Sequence, residues 1–214
     1  PEDLTGLLNE YFTEMSRIAL EYGATIDKFV GDAMLIFFGD PQTRGVQEDA
    51  LQCARMAVAM QRRMADLRAM WREKGYEQAF RMRIGINTGH CNVGNFGSEQ
   101  RMDYTIIGAQ VNLAARLEQN SDPDGILLSY ETYALVRDEF EAEEREPVKA
   151  KGISRDIRCF ALKYAADGAA AERSFLVRES PGMRLTVNFD RLGADRTTAI
   201  RDLEDVLERI RRHA

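Results

Sequence analysis

The sequence predicts an α+β domain with a largely antiparallel sheet, and three observations carry that reading. Two long segments place apolar residues at helical spacing. Short runs rich in β-branched and aromatic residues are punctuated by glycine turns. Helical and extended segments are mixed through the first three quarters of the chain, a pattern suited to α+β architecture.

The elements follow in order. Leu4, Leu8, Tyr11, Met15, Ile18 and Tyr22 predict an amphipathic helix over 4–22, closed by Gly23. Thr25–Lys28 and Ala33–Phe38 read as strands joined by a tight hairpin at Val30-Gly31-Asp32, and Asp40-Pro41 opens a loop. A long helix follows over about 47–72, with Ala50, Cys53, Ala57, Met60, Met64, Leu67 and Trp71 at heptad positions. That stripe fits a coiled-coil seam, but its small residues favour a helix packed on a sheet. Met82–Asn87 reads as a strand, with His90–Phe96 as its expected hairpin partner. Tyr104–Ile107 is a strand and Ala109–Gln119 a helix; Gly125–Ser129 is a strand and Tyr130–Asp138 a short helix. Phe140–Val148 and Asp156–Leu162 are expected to close the domain as strands. The run Glu141, Glu143, Glu144 and Glu146 reads as a solvated strand face. The expected catalytic unit is 1–163, and 164–172 is a linker of small residues. Residues 173–214 form an accessory strand–helix extension, too small for a core of its own.

Composition narrows the function classes. The chain has 214 residues, 44% hydrophobic and 30% charged, enough for one sizeable core. Its net charge of -6 gives no footprint for nucleic acid. The longest apolar run, Ala33–Phe38, is too short to span a bilayer, and Pro1-Glu2-Asp3 is acidic where a signal peptide is basic. Cys53, Cys91 and Cys159 have neither metal spacing nor a disulfide framework, so a reducing cytoplasm is expected. His90 and His213 belong to no hydrolase triad.

The most informative stretch is Met102–Glu118, which reads as strand, glycine turn and helix. Asn112 and Arg116 stand four apart, so a helix projects both from one face. An amide beside a planar cation suits holding a sugar and stabilising a phosphoryl group. The Lys28–Asp32 turn upstream supplies a carboxylate suited to a divalent cation. No P-loop and no GxGxxG motif occurs, so phosphates must be held by another device.

Four motifs in order resemble the catalytic domain of class III nucleotidyl cyclases. They are Thr25-Ile-Asp-Lys-Phe-Val-Gly-Asp32, Arg83-Ile-Gly-Ile-Asn-Thr-Gly89, Asp103-Tyr-Thr-Ile-Ile-Gly108 and Val111-Asn-Leu-Ala-Ala-Arg116. The resemblance runs over about 4–163 and is nearest to bacterial adenylate cyclases with threonine as second base reader. It implies a ferredoxin-like core, a head-to-tail homodimer, two divalent cations (Mg²⁺ or Mn²⁺), and conversion of ATP to cyclic AMP and pyrophosphate. Asp32 then matches a metal ligand, Lys28 and Thr105 the purine readers, and Asn112 the ribose-orienting residue. Arg116 matches the group that stabilises the pentavalent phosphorus, and Lys151 a grip on the terminal phosphates. Lysine only donates, which suits adenine N1 and opposes guanine N1–H; the threonine hydroxyl can accept from the adenine amino group.

In this family an opening strand carries a second metal-binding aspartate upstream of the position of Pro1. The 214-residue piece is therefore expected to be poorly active without preceding residues, under an upstream sensory or membrane module. Two rival readings are a non-catalytic regulatory module of the same fold and a guanylate cyclase. A diguanylate cyclase is disfavoured because Val30-Gly31-Asp32-Ala33-Met34 lacks the GG[DE]EF-type turn.

Overall fold

The computed structural model describes residues 2–76, 80–149, 156–164, 175–180, 183–188 and 196–212. The chain divides into two compact units, Pro1–Tyr164 and Ala165–Ala214. In the first, α1 (Glu2–Glu21) leads into β1 (Thr25–Val30) and β2 (Ala33–Phe37), and α2 (Val46–Glu73) follows. Next come β3 (Ile84–Ile86), β4 (Asn92–Ser98), β5 (Arg101–Ile107), α3 (Ala109–Asn120), β6 (Ile126–Ser129) and α4 (Tyr130–Val136). β7 (Ala142–Val148) and β8 (Ile157–Leu162) complete it. The second unit holds an antiparallel hairpin, β9 (Phe175–Ser180) and β10 (Met183–Asn188), and a helix, α5 (Arg196–Arg212). The sequence leads one to expect a single strand and a helix here; the structure has two strands and a helix.

The fold is the expected α+β, with mainly antiparallel pairing. A four-stranded sheet runs β3-β6-β8-β7, in which β3–β6 is parallel and the other two pairings are antiparallel. β1–β2 and β4–β5 are antiparallel hairpins. Among the described residues β2 pairs with β1 and β3 with β6, so each leaves one strand edge open. A cavity of about 400 Å³ lies between them, lined by Ile36 and Phe37 on one side and Gly85 and Ile86 on the other.

α2 uses its stripe in two ways. In its first half the small residues Ala50, Ala54 and Ala57 pack with Ile86, Ile126, Leu128 and Phe160 of the sheet. In its second half Met60, Met64, Leu67 and Trp71 pack with Tyr11, Met15 and Ile18 of α1. Small side chains let a helix axis approach a sheet closely, whereas large ones fill a helix–helix seam. The sheet-packed reading therefore holds for the first half, and a short antiparallel-type helix contact takes the second. Trp71 is fully buried, and its indole N–H donates to Glu10 Oε2 at 2.8 Å.

One expected pairing fails. Met82–Asn87 and His90–Phe96 do not form a hairpin, because β3 pairs with β6 and β4 pairs with β5. The intervening chain is pinned elsewhere. Asn87 Nδ2 donates to Gln110 O and Oε1 at 3.1 and 2.8 Å, and the hydroxyls of Thr88 and Thr132 lie 3.0 Å apart. Those anchors to α3 and α4 replace the turn a hairpin needs. α3 in turn sits against β3 so closely that a Cβ on Gly85 would lie 2.2 Å from Glu118 N and 2.3 Å from Ala114 O. That glycine has a steric reason independent of its own backbone freedom.

Candidate active site

Two surfaces hold the sequence-predicted residues. The first is α3, capped by Gly108, whose φ of 153° an L-residue adopts with strain. Leu113 and Leu117 are its buried positions and pack with Leu127, Val148, Ile157 and Cys159. Asn112 and Arg116 each precede one of these leucines, so both fall on the exposed side of the helix. The core face thus fixes the polar face by helical geometry alone. Arg116 Nε donates to Lys149 O at 3.1 Å, and its NH1 donates to Gln119 Oε1 at 3.1 Å. Both acceptors are neutral, so these contacts hold the guanidinium in place without cancelling its charge. Lys151, the expected phosphate grip, lies outside the described residues.

The second surface is formed by β1, its hairpin tip and β5. The tip is a two-residue turn, Gly31-Asp32, between the paired Val30 and Ala33. Gly31 has φ 65°, the left-handed geometry that favours glycine in so short a hairpin. Asp32 is exposed there. Lys28 lies on β1 with its side chain 41% exposed, so the ammonium reaches solvent. Thr105 lies on β5 and is buried.

The residue that joins Lys28 to Thr105 is one that sequence reading missed. Asp27 is the extra residue of a β-bulge: Ile26 pairs with Ile36 and Lys28 with Leu35, leaving Asp27 opposite nothing. Its side chain is 0% exposed. Asp27 Oδ2 accepts from Thr105 Oγ1 at 2.6 Å and from the Ile106 backbone N–H at 3.1 Å. Asp27 Oδ1 lies 3.4 Å from Lys28 Nζ. A bulge re-aims a side chain that strict alternation would send elsewhere. The one available signal was the Asp-Lys dipeptide itself, a charged residue inside a short strand.

The metal expectation meets a partial fit. Asp32 offers one exposed carboxylate, but no three acidic, histidine or cysteine side chains among the described residues gather into a metal-holding group. The described residues therefore do not by themselves make up a two-ion centre. No described helix is long and apolar enough to cross a membrane.

Comparison with known proteins agrees with this fold. A crystal structure of the adenylyl cyclase CyaB from P. aeruginosa shares 49% identity at a TM-score of 0.75, over 77% of this chain and 84% of that one. A crystal structure of the guanylyl cyclase Cya2 shares 36% identity at a TM-score of 0.70, over 76% of this chain and 81% of that one. Adenylate cyclase 1 of Rhizobium meliloti (strain 1021) is 34% identical over 158 residues, which is 72% of this chain but 23% of that protein. The chain thus spans about a quarter of the length of this curated relative. The family described as Adenylate and Guanylate cyclase catalytic domain matches residues 1–164, and the chain belongs to that family.

Proposed function

We propose that residues 1–163 act as the catalytic domain of an adenylate cyclase, converting ATP to cyclic AMP and pyrophosphate at the interface of two copies. The observation that carries this reading is the pairing of Lys28 and Thr105 around one buried carboxylate. A donor-only ammonium beside a hydroxyl suits the adenine edge, where N1 accepts and the 6-amino group donates. The likeness to an adenylyl cyclase at 49% identity, against 36% for a guanylyl cyclase, supports the same choice.

In the reaction the ribose 3′-oxygen forms a bond to the α-phosphorus. The bond from that phosphorus to the α–β bridging oxygen breaks, and its electron pair leaves with pyrophosphate. The 3′-hydroxyl proton passes to water. Asn112 orients the ribose. Arg116 stabilises charge gathering on the pentavalent phosphorus, the kind of preorganised donor that is typically the largest electrostatic contribution. Lys151 grips the terminal phosphates. Asp32 would help hold a divalent cation, which would supply charge neutralisation at the phosphates. The open edges of β2 and β3 that flank the cavity offer unpaired backbone groups, which suit a further strand.

The domain works as a homodimer in this reading. Phe29 and Val30 on β1, with Met102, Tyr104 and Ile107 on β5, are exposed apolar side chains of the kind an interface buries. The 173–214 extension serves as an accessory element, and the whole is a cytoplasmic part of a longer, sensor- or membrane-linked protein. The rival reading is a regulatory module of the same fold with a dead site.

Incubating the longer parent polypeptide with ATP, GTP and Mn²⁺ and identifying the cyclic product by chromatography tests the proposal. Cyclic AMP with little cyclic GMP is expected. No cyclic product from a verified dimer would favour the regulatory reading instead.

A further inference from the structure

We infer that Asp27 is a specificity-determining positioning residue: its buried carboxylate fixes the Thr105 hydroxyl as an acceptor toward the purine and tethers the Lys28 ammonium beside it. The inference rests on the reading of Lys28 and Thr105 as the base pocket.

A threonine hydroxyl carries one proton and two lone pairs, so alone it can serve either a donor or an acceptor on a purine. Here its proton has two protein acceptors, Asp27 Oδ2 at 2.6 Å and Ile106 O at 3.4 Å. The carboxylate is the nearer and the charged one, so it takes the proton. The Ile106 N–H, 3.1 Å from the same oxygen, holds the carboxylate against rotation. The hydroxyl is left with lone pairs alone to offer a ligand. The other carboxylate oxygen is buried, has no hydrogen bond among the described residues, and faces Lys28 Nζ at 3.4 Å. One carboxylate therefore sets the polarity of the hydroxyl and the position of the ammonium, and the β1 bulge is what places it there.

The pocket then presents a fixed donor next to a fixed acceptor. The adenine edge matches both. Guanine meets lone pair against lone pair at its 6-oxo group and N–H against N–H at N1. Freed from Asp27, the hydroxyl would rotate and donate to the 6-oxo group, removing one of the two mismatches. A carboxylate that merely stapled β1 to β5 would instead affect every nucleotide alike.

The test uses the longer parent polypeptide and three substrates: ATP, GTP and the triphosphate of purine riboside, which lacks the 6-amino group. Asp27→Leu keeps the branched shape without acceptors. In the wild type, loss of the amino group is expected to lower kcat/KM about tenfold, the usual scale for an unpaired polar group in a built site. In Asp27→Leu that difference should shrink to within about twofold, and the ATP/GTP ratio of kcat/KM should fall about tenfold. Thr105→Val should lose the same discrimination, the double variant should lose no more than either single one, and Thr105→Ser should retain it. Asp27→Asn, which keeps the shape and one acceptor but adds a donor, carries the test if the leucine variant does not fold, with a fall of about threefold expected. Equal losses for all three substrates in the Asp27 variants would overturn the inference and leave the cyclase reading intact. A wild type that treats ATP and GTP alike would overturn the base-pocket reading, and the inference with it.

Discussion

The exposed face of α3 and the buried join between β1 and β5 hold the two halves of the candidate site, and they are built on opposite principles. On α3 the candidate pair is a by-product of regular geometry. Once Leu113 and Leu117 are buried, Asn112 and Arg116 have one place to go. On β1 the candidate arrangement depends on an irregularity, since without the bulge Asp27 and Lys28 would alternate to opposite faces. Regular elements make a site robust and readable; irregular ones let consecutive residues act together.

The largest effect is expected where α3 meets the reaction. Under the proposed function, Arg116→Ala should lower kcat of the parent polypeptide about 100- to 1,000-fold, roughly 3–4 kcal/mol, with little change in unfolding midpoint because the side chain is exposed. Steady-state kinetics beside urea unfolding checks both halves. A loss of stability matching the loss of rate would mean that its bonds to Lys149 O and Gln119, not its charge, are what matter.

The seat of that helix comes next. Gly85→Ala would press a methyl group into backbone atoms of Ala114 and Glu118, which cannot swing aside as a flexible side chain can. A destabilisation of about 3 kcal/mol is expected, at the upper end of overpacking effects. Urea unfolding reads it directly. An unchanged midpoint would show that α3 is less tightly seated than described, and that the fixed polar face is an over-reading.

These two sites also show how far the sequence could be read. The α3 pair was legible because helical spacing survives folding intact. Lys28, Asp32 and Thr105 were singled out through the motifs that carry the family resemblance, and the structure places Lys28 and Thr105 around Asp27. Asp27 was not, because a bulge is set by pairing between strands and leaves no periodic trace in one of them. The β3 partner was misread for a related reason: Ile84–Ile86 is three residues long, and the side-chain anchors of Asn87 and Thr88 decide its neighbour. Nor did the apolar pattern of α2 reveal that its two halves face different partners.

Tyr11 links the hairpin tip to the core and gives a pH test. It is buried, and burial first, then the negative charges of Asp32 and Glu118, push its phenol from 10.0 to about 12. The folded protein holds the neutral phenol, so the contribution is fully present below pH 10 and is lost as pH rises toward 12. The span of about 2 units corresponds to roughly 3 kcal/mol. Thermal unfolding between pH 9 and 12 should show that decline, and Tyr11→Phe should flatten it. Asp32→Asn should reduce it slightly, since Asp32 is the second cause and not the first. A decline unchanged in Tyr11→Phe would assign it to other groups.

The smallest effect is the sharpest test of irregular geometry on the β1 side. Gly31 takes φ 65° with open space around its missing Cβ, so alanine there meets no atom and costs backbone strain alone. About 1 kcal/mol of destabilisation is expected for Gly31→Ala. Gly31→Asn, a residue that tolerates the left-handed region, should recover most of it. The consequence for function should outrun the consequence for stability, because the turn that Gly31 shapes is the one that presents Asp32. If the alanine variant keeps both its unfolding midpoint and its dependence on Mn²⁺ concentration, the hairpin tip is not held in the geometry described. A midpoint lowered by so little, together with a raised Mn²⁺ requirement, would place the strain of one glycine in the aim of one carboxylate.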